Sequence, residues 1–246
     1  MRHLRNRVRA AANAPIVALC LLASVIGLTS SAFARTLEGC GSARSAALVS
    51  PTDLNGIVER LQHHYNCTAS FTAAFVERIS GAGGVNRTRN GVVFYQRGGL
   101  MRWDFAKPSE ATVVSDGVTL YDYEKDLDQV VEMPVKRAFQ SGATSFLLGL
   151  GDIRRDFNAS LPGANSSGAD DNGLIHLILT PKGGTDVVEL GLDPTSFDLV
   201  TLRLTSQVGS VTDLKFSNIH SNVALNASLF KFKVPQGADI VTPGSS

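Results

Sequence analysis

Apolar and polar residues alternate in short runs along most of this chain, and a period of two predicts a protein built mainly from β-strands. Turn-forming residues separate the runs, which favours antiparallel pairing over βαβ units. The predicted strands are residues 70–79, 88–97, 100–106, 111–115, 118–123, 129–133, 174–180, 186–192, 199–205, 211–217 and 230–234. We expect a curved antiparallel sheet or an open barrel.

Residues 51–67 have the period of a helix instead. Their apolar side chains fall on one face, and Thr52 or Asp53 can cap the first turn. The apolar positions are Leu54, Ile57, Val58, Leu61 and Tyr65. A second, short helix is expected within residues 138–150. Both helices need an apolar surface, so we expect them to cover the sheet. The pattern leaves open whether the interior is a solid core or a cavity.

The first residues have the features of a secretory signal peptide. Arginines among residues 1–9 precede an apolar run at 15–28 and the small-x-small sequence Ala32-Phe33-Ala34. The run is short for a membrane span, so cleavage after Ala34 is predicted, with an uncleaved anchor as the alternative. Residues 35–50 would then form a flexible mature N-terminus, and residues 51–246 a single domain.

Cleavage changes the charge of the chain. Removing the four arginines of residues 1–34 from the 23 basic residues leaves 19, against 22 acidic ones, which is a net charge of −3. Binding to nucleic acid would call for a concentrated basic face, and the sequence contains none. We therefore expect no nucleic-acid partner.

Two cysteines, Cys40 and Cys67, remain after cleavage. In an exported protein such a pair predicts one disulfide bond. It would close a loop around the first helix and contribute roughly 3–4 kcal/mol in the chain-entropy estimate. Two free, buried thiols are the alternative.

Residues 94–108 are the most informative segment, because they predict two strands joined by the turn Gly98-Gly99. Side chains alternate between the two faces of such a hairpin. One face receives Val93, Tyr95, Met101, Trp103 and Phe105. This broad apolar surface has a cation, Arg97, near its rim. On residue chemistry alone, Arg97 is a solvated turn residue.

A row of acidic residues follows at alternate positions: Asp122, Glu124, Asp126 and Asp128. Because carboxylates are usually solvated, we expect this row on the outer face of the sheet. The opposite parity, Tyr121 and Tyr123, would then face inward beside Trp103. The row lacks the glycine and the terminal bidentate glutamate of a calcium loop.

The sequence contains no motif that supports catalysis. It has no Gly-x-Ser-x-Gly nucleophile elbow, and Gly149-Leu-Gly151 lacks the third glycine of a nucleotide loop. His63 and His64 are adjacent on a helix and point apart, which suits shared metal ligation poorly. We therefore predict no catalytic residue, no metal and no cofactor.

Several short motifs, taken in order, resemble the LolA family of periplasmic carriers of outer-membrane lipoproteins. The strongest block is an aromatic-x-x-Arg-x-x-Leu-x-x-Trp pattern that runs through Arg97, Leu100 and Trp103 to Pro108. The other matching segments are Ala69-Ser-Phe-Thr72, Val114-Ser-Asp-Gly117, Leu179-Thr-Pro-Lys182 and residues 230–237. Where the family usually has proline after this arginine, this chain has Gly98, which gives a looser turn.

The resemblance implies an incomplete antiparallel β-barrel with an α-helical lid over an apolar cavity. It implies that Arg97 is the lid latch, whose hydrogen bonds to lid backbone hold the ligand-free cavity closed. The implied cavity lining is Phe75, Val93, Tyr95, Met101, Trp103, Phe105, Tyr121 and Tyr123, with Phe146, Leu147 and Leu148 on the lid.

The resemblance also implies a function without an enzymatic step. A monomeric periplasmic chaperone would accept acylated lipoproteins from an inner-membrane lipoprotein-releasing ABC transporter and deliver them to an outer-membrane lipoprotein receptor. One alternative is a carrier of the same fold for a glycolipid or another acyl product. A second is an interaction module that senses lipoproteins. A hydrolase is disfavoured, since no nucleophile and base can be named.

Overall fold

The computed structural model describes residues 40, 50–81, 84, 86–138, 152–163 and 173–243. The α-helices in these residues are α1 (Leu54–Cys67), α2 (Val135–Ala138) and α3 (Ile153–Asp156). The strands are β1 (Ser70–Ser80), β2 (Asn86–Gln96), β3 (Leu100–Phe105), β4 (Ala111–Asp116), β5 (Thr119–Glu124), β6 (Gln129–Pro134), β7 (Phe157–Ser160), β8 (Ile175–Pro181), β9 (Val187–Leu192), β10 (Leu199–Thr205), β11 (Val211–Ser221) and β12 (Asp239–Val241). Two 3-10 helices, Lys125–Leu127 and Ala227–Phe230, complete the described elements.

The described strands form one open sheet, in the order β12-β6-β5-β4-β3-β2-β1-β11-β10-β9-β8-β7. Neighbours pair antiparallel, except that β12 pairs in parallel with β6. From β1 to β6 each strand lies beside the next one in sequence, as short hairpin connections require. The predicted fold class, a mainly β protein with an open curved sheet, is confirmed.

Helix α1 follows its predicted period. Asp53 caps the first turn, because its Oδ1 accepts a hydrogen bond of 3.0 Å from the backbone N–H of Gly56. The buried side chains of the helix are Ile57, Val58, Leu61 and Tyr65. The apolar stripe therefore lies where the sequence predicts it, although the helix begins at Leu54 rather than at residue 51.

The core lies between the helices and one face of the sheet, which we call the apolar face. Alternate residues of the strands point to this face and form one buried cluster with α1. In β8, β9 and β10 the face is mostly leucine: Leu177, Leu179, Leu190, Leu192, Leu202 and Leu204. In β1, β2 and β3 larger aromatic side chains take part. The apolar face thus has a leucine half and an aromatic half.

Gly98 and Gly99 form the turn between β2 and β3, with φ of 100° and 77°. Both values lie in the left-handed region, which glycine adopts at little cost and a tight hairpin turn requires. The register sets Trp103 directly opposite Val93. Directly opposed residues share a face, so the hairpin presents one continuous apolar surface and leaves Arg97 at its end.

The C-terminal segment differs from its prediction. Residues 230–234 are not a strand: the 3-10 helix Ala227–Phe230 is followed by chain that lies outside the sheet. The alternating aromatics serve packing instead, since Phe230 is buried and Phe232 stacks on Tyr121 with ring centroids 5.2 Å apart. The elements β7, β12 and α3 escape prediction because none exceeds four residues.

Some predictions fall outside the described residues. These are the signal peptide at 1–34, nearly all of the N-terminal segment at 35–50, and nearly all of the short helix within 138–150. In the portion of the chain that the structure describes, none of the helices combines the length and the apolar character that crossing a membrane demands.

Candidate functional site

Aromatic side chains gather at the centre of the apolar face. Phe75 of β1 contacts Trp103 and Phe105 of β3, with ring centroids 4.7 and 5.1 Å away. Phe216 of β11 lies 6.1 Å from the Trp103 ring. We call these four residues the aromatic cluster. Edge-on contacts of this kind add to the stabilisation from burial alone.

A glycine allows these rings to meet across β2. Gly91 is paired with Phe75 on one side and with Phe105 on the other. A Cβ atom at this position would come within 2.0 Å of the Asp104 carbonyl oxygen and 2.9 Å of Phe75 Cζ. The space above Gly91 is therefore used by the Phe75 ring, and a side chain there would displace it.

The neighbouring predicted lining residues lie on the same face. Val93, Tyr95 and Met101 are buried and belong to the same cluster as α1. Tyr95 stacks on Phe71 at 5.2 Å. Burial raises the pKa of Tyr95 to about 12, although the nearby positive charge of Arg97 opposes the shift. The surface predicted from residues 94–108 is therefore a single apolar face.

Tyr121 and Tyr123 lie on the opposite face, so their predicted place beside Trp103 is wrong. The register puts Asp122, two strands away from Trp103, on the apolar face. The tyrosines have the other parity: Tyr121 stacks on Phe232 with ring centroids 5.2 Å apart, and the tilted ring of Tyr123 lies 6.3 Å from it. The prediction fails because it assumes that the acidic row faces water, whereas Asp122 is 8% exposed.

The predicted lid residues Phe146, Leu147 and Leu148 lie outside the described residues. Among the described helices, α1, α2 and α3 all contribute buried side chains to the cluster on the apolar face, and α1 contributes the most. The contacts of α1 therefore show how part of that face is covered in this structure.

Arg97 reaches the C-terminal end of α1. Its Nη2 donates hydrogen bonds to the backbone oxygens of Asn66 and Thr68, the latter at 3.2 Å. Its backbone N–H donates to the Ala69 oxygen at 2.8 Å. The last carbonyls of a helix lack partners within the helix, so a cation here also complements the helix dipole. Arg97 thus connects the β2–β3 turn to the junction between α1 and β1.

A disulfide bond meets the same junction. Cys40 and Cys67 are joined, with their Cα atoms 5.5 Å apart. Cys67 is the last residue of α1, so the bond ties upstream chain to the end of the helix that Arg97 contacts. This end of α1 is therefore held covalently and by hydrogen bonds together.

Side chains of α1 also contact the turn between β9 and β10. Arg60 Nη2 donates to the Thr195 oxygen at 2.9 Å, and the Arg60 guanidinium lies 4.7 Å from the centre of the Phe197 ring. His64 Nε2 lies 3.2 Å from Asp198 Oδ1. This hydrogen bond holds the pKa of Asp198 below its usual range. His64 is thus partly buried and bonded to Asp198.

A charged pair lies on the apolar face at the end remote from Arg97. Arg89 of β2 donates from Nε and Nη2 to Glu77 Oε2 in β1, at 2.8 and 2.6 Å. The two side chains are 1% and 3% exposed. The Arg89 guanidinium also lies 3.9 Å from the centre of the Phe105 ring. This cation–π contact joins the pair to the aromatic cluster.

Two acidic residues of β5 lie beside this pair, and we call Glu77, Arg89, Asp122 and Glu124 the polar end. Glu124 Oε1 is 3.7 Å from Arg89 Nη1. Burial, and then the charge of Glu124, raise the pKa of Asp122 to about 7, against the lowering effect of Arg89 and Arg87. Among the described residues, neither Arg89 Nη1 nor Asp122 Oδ1 has a hydrogen-bond partner.

The polar end and Phe216 are the parts of this site that sequence interpretation missed. Glu77 has the same parity as Phe75 and Ile79 in β1, both of which are buried. The sequence did contain a signal for this pair. In each of two consecutive strands, a charged residue takes a position that alternates with polar residues and is otherwise apolar: Glu77 in β1 and Arg89 in β2. No sequence signal identified Phe216, because its place near Trp103 depends on the long-range pairing of β1 with β11.

Two other kinds of site in the described residues, a surface depression and a metal site, offer little. A depression of about 390 Å³ lies on the opposite face of the sheet. Beside apolar residues such as Val76, its lining includes five charged side chains: Arg78, Glu189, Arg203, Asp213 and Lys215. Such a lining suits an acyl chain poorly. In the same part of the chain, no three histidine, cysteine, aspartate or glutamate side chains converge where a metal ion could bind.

Comparison with known proteins gives a consistent match. The family described as "Outer membrane lipoprotein carrier protein LolA" matches residues 66–233. An outer-membrane lipoprotein carrier protein from Cupriavidus pinatubonensis is 31% identical over 210 residues, which are 83% of this chain and 96% of that protein. One from Methylobacillus flagellatus is 32% identical over 189 residues, covering 75% and 88% respectively.

Among solved structures, a LolA superfamily protein from Nitrosomonas europaea is 13% identical and aligns with a TM-score of 0.40, over 73% of this chain and 97% of that one. The family match spans more than half of this chain and includes β1 to β11 and Arg97. The relatives match it over most of their own length. This chain therefore belongs to the LolA family of outer membrane lipoprotein carrier proteins, which bind cargo and are not enzymes.

Proposed function

We propose that this protein is a monomeric periplasmic chaperone that binds the acyl chains of lipoproteins on its apolar face. It would take them from an inner-membrane lipoprotein-releasing ABC transporter and deliver them to an outer-membrane receptor. The observation that carries the proposal is the continuous apolar face, with the aromatic cluster at its centre and with α1 packed into the same buried cluster of side chains. Membership of the carrier family supports it independently.

The physical need for such a carrier follows from the cost of exposing acyl chains to water. Each CH₂ group costs about 0.8 kcal/mol, so a chain of ~16 carbons costs on the order of 12 kcal/mol. An acylated protein therefore does not cross an aqueous compartment unaided. A carrier must cover the chains, yet hold them weakly enough to release them.

Helix α1 is suited to exchange with such cargo. Its buried side chains are Ile57, Val58, Leu61 and Tyr65, and burial of side chains of this size contributes about 1.5–3 kcal/mol each. Their total is of the same order as the burial of one acyl chain. Cargo that replaces α1 on the apolar face would therefore change the total free energy little, and small additional contacts would decide between the two states.

Arg97 supplies contacts of that small size. A hydrogen bond contributes about 0.5–1.5 kcal/mol net, and Arg97 donates to two backbone oxygens at the end of α1. We propose that these bonds latch α1 in the closed state and are released when cargo enters. Losing the latch would leave uptake intact but slow the return to the closed state that expels cargo.

Photocrosslinking tests which face binds cargo. A photoreactive amino acid at Phe75, on the apolar face, should form adducts with acylated lipoproteins. The same residue at Tyr121, on the opposite face and stacked on Phe232, is the matched control and should form far fewer. Equal adducts from both positions, or adducts that persist with lipoproteins lacking acyl chains, would refute binding on the apolar face.

Transfer kinetics test the latch. Arg97→Leu should accept lipoprotein from inner-membrane vesicles at the normal rate and deliver it to outer membranes more slowly. Arg78→Leu is the control, because Arg78 is an exposed residue on the opposite face of β1. A normal delivery rate for Arg97→Leu would exclude the latch.

A further inference from the structure

Two buried polar atoms of the polar end lack partners among the described residues, and they have opposite hydrogen-bonding character. Arg89 Nη1 is a donor, and Asp122 Oδ1 is an acceptor when ionised. The Arg89 side chain is 1% exposed and Asp122 is 8% exposed. Both residues belong to the apolar face, where Arg89 lies against the Phe105 ring.

A purely structural role accounts for only part of this arrangement. The bonds from Arg89 Nε and Nη2 to Glu77 pair those two charges. Glu124 Oε1 lies 3.7 Å from Nη1, which is too far for a hydrogen bond. Both Nη1 and Asp122 Oδ1 are therefore buried without a hydrogen-bond partner among the described residues. Unpaired buried polar atoms are rare in folded proteins, and they call for a specific explanation.

We infer that Arg89 Nη1 and Asp122 Oδ1 form a polar subsite, which binds an uncharged hydrogen-bonding group of the cargo lipid, a hydroxyl or a secondary amide, while the acyl chain lies along Trp103 and Phe105. Such a group both accepts from Arg89 and donates to Asp122. The inference rests on the proposed function, since it places an acyl chain on the apolar face. It adds a fixed orientation, with the polar group of the lipid at the end remote from Arg97.

The charges around the subsite favour a neutral group over an anion. Glu77, Asp122 and Glu124 face it from β1 and β5, against Arg87 and Arg89 from β2. A carboxylate or phosphate would meet an excess of acids, because Arg89 is already bonded to Glu77. The pKa of Asp122, raised to about 7 chiefly by burial, agrees with a neutral ligand, since a carboxyl group near half protonation accepts or donates.

Matched lipid probes test the subsite in the purified protein. 1-Monolauroylglycerol carries hydroxyl groups, whereas methyl laurate has the same chain and a carbonyl but no donor. Trp103, the single tryptophan of the chain, lies in the aromatic cluster and reports binding of either probe by its fluorescence. The quantity to compare is the ratio of the two dissociation constants, in the wild type and in variants, because the intrinsic solubilities of the probes cancel in this cycle.

In Asp122→Leu, the preference for the hydroxyl probe should fall by roughly tenfold relative to the wild type. Asp122→Asn keeps an acceptor and a donor, so it should retain most of the preference even if the leucine variant folds poorly. Glu132→Leu is the control, because Glu132 is opposite Tyr121 on the other face of the sheet. It should leave the ratio unchanged.

The outcomes separate the subsite from the proposed function. If both probes shift Trp103 fluorescence but the ratio is equal in the wild type and Asp122→Leu, the subsite is refuted and the polar end is structural or bridged by water. If laurate anion binds more tightly than monolauroylglycerol, the preference for a neutral group is refuted. If neither probe binds, both the subsite and the proposed binding of acyl chains fail.

Discussion

Arg89 and Arg97 lie near opposite ends of β2, and both contribute to the face that α1 covers. Arg89 is buried from solvent: it donates hydrogen bonds to the Glu77 carboxylate through two nitrogens, and its guanidinium packs over the Phe105 ring. Arg97 is half-buried beside the glycine turn and bonds only backbone oxygens at the end of α1. Water can replace the bonds of Arg97 when they break, but it does not reach those of Arg89.

This difference assigns the two ends different mechanical roles. Breaking a buried charge pair leaves a charge without solvent, whereas breaking exposed hydrogen bonds to backbone costs little. We therefore expect the Arg89 end to stay fixed while the Arg97 end opens. The polar end would then keep its position in both states, whereas α1 would move away from the apolar face when cargo binds.

The largest effect should come from Arg89→Leu, which leaves Glu77 buried and uncompensated. The free energy of unfolding should fall by about 3–5 kcal/mol in urea denaturation. The double variant Glu77→Leu/Arg89→Leu should recover most of this loss, because the buried carboxylate of Glu77 is removed with its partner and Arg87 still faces Glu124 at 3.9 Å. A loss below about 1 kcal/mol in the single variant would mean that solvent reaches the pair.

The next effect is a pH dependence that originates at Asp122. Its pKa in the folded state, about 7, lies above its ordinary value of 3.8, so the folded protein keeps a proton that the unfolded chain releases. Stability should therefore fall as pH rises from about 4 to about 7, by up to about 1.4 kcal/mol per pH unit. Asp122→Asn should lack this decline. Parallel pH profiles of unfolding for the two proteins would contradict the burial of the carboxyl group.

A third test lies between the two arginines, at Gly91. In Gly91→Ala the new methyl group meets the Asp104 carbonyl and the Phe75 ring, so the free energy of unfolding should fall by about 1–3 kcal/mol. The near-ultraviolet dichroism of Trp103 should change as the rings move. Gly163→Ala is the control, since no atom lies within 4 Å of its added Cβ. An unaltered Trp103 signal in Gly91→Ala would contradict the close packing of the aromatic cluster.

The smallest effect should come from Arg97→Gln, which removes hydrogen bonds at a half-buried position and leaves no buried charge without a partner. We expect a loss of about 1 kcal/mol in the free energy of unfolding, and faster hydrogen exchange in the last turn of α1. Arg78→Gln should change neither. A loss as large as that of Arg89→Leu would show that Arg97 stabilises the fold as a whole rather than only the closed position of α1.

The sequence predicted the elements whose signals are local. The stripe of α1 and the hairpin around Gly98 and Gly99 depend on spacing and on turn chemistry within a few residues, and both are confirmed. The strand predicted at residues 230–234 is wrong, because Phe230 and Phe232 alternate to pack against the sheet rather than to join it.

The candidate site was predicted less completely, for a long-range reason. Assigning a face to Asp122 required knowing that two arginines of β2, Arg87 and Arg89, lie close enough to offset part of the cost of its burial, and parity within β5 does not contain that information. The same error moved Tyr121 and Tyr123 to the wrong face. Charged residues therefore indicate the outer face of a strand only when no oppositely charged residue of another strand lies beside them on the inner face.

The most direct test of the central claim, that acyl chains bind on the apolar face beneath α1, is a fluorescence titration of Trp103 in the wild-type protein. The titrants are a diacylglyceryl-cysteine peptide and the same peptide without acyl chains. We predict a saturable shift at one equivalent of the acylated peptide and no shift with the other. The same response to both peptides, or none to either, would contradict the account.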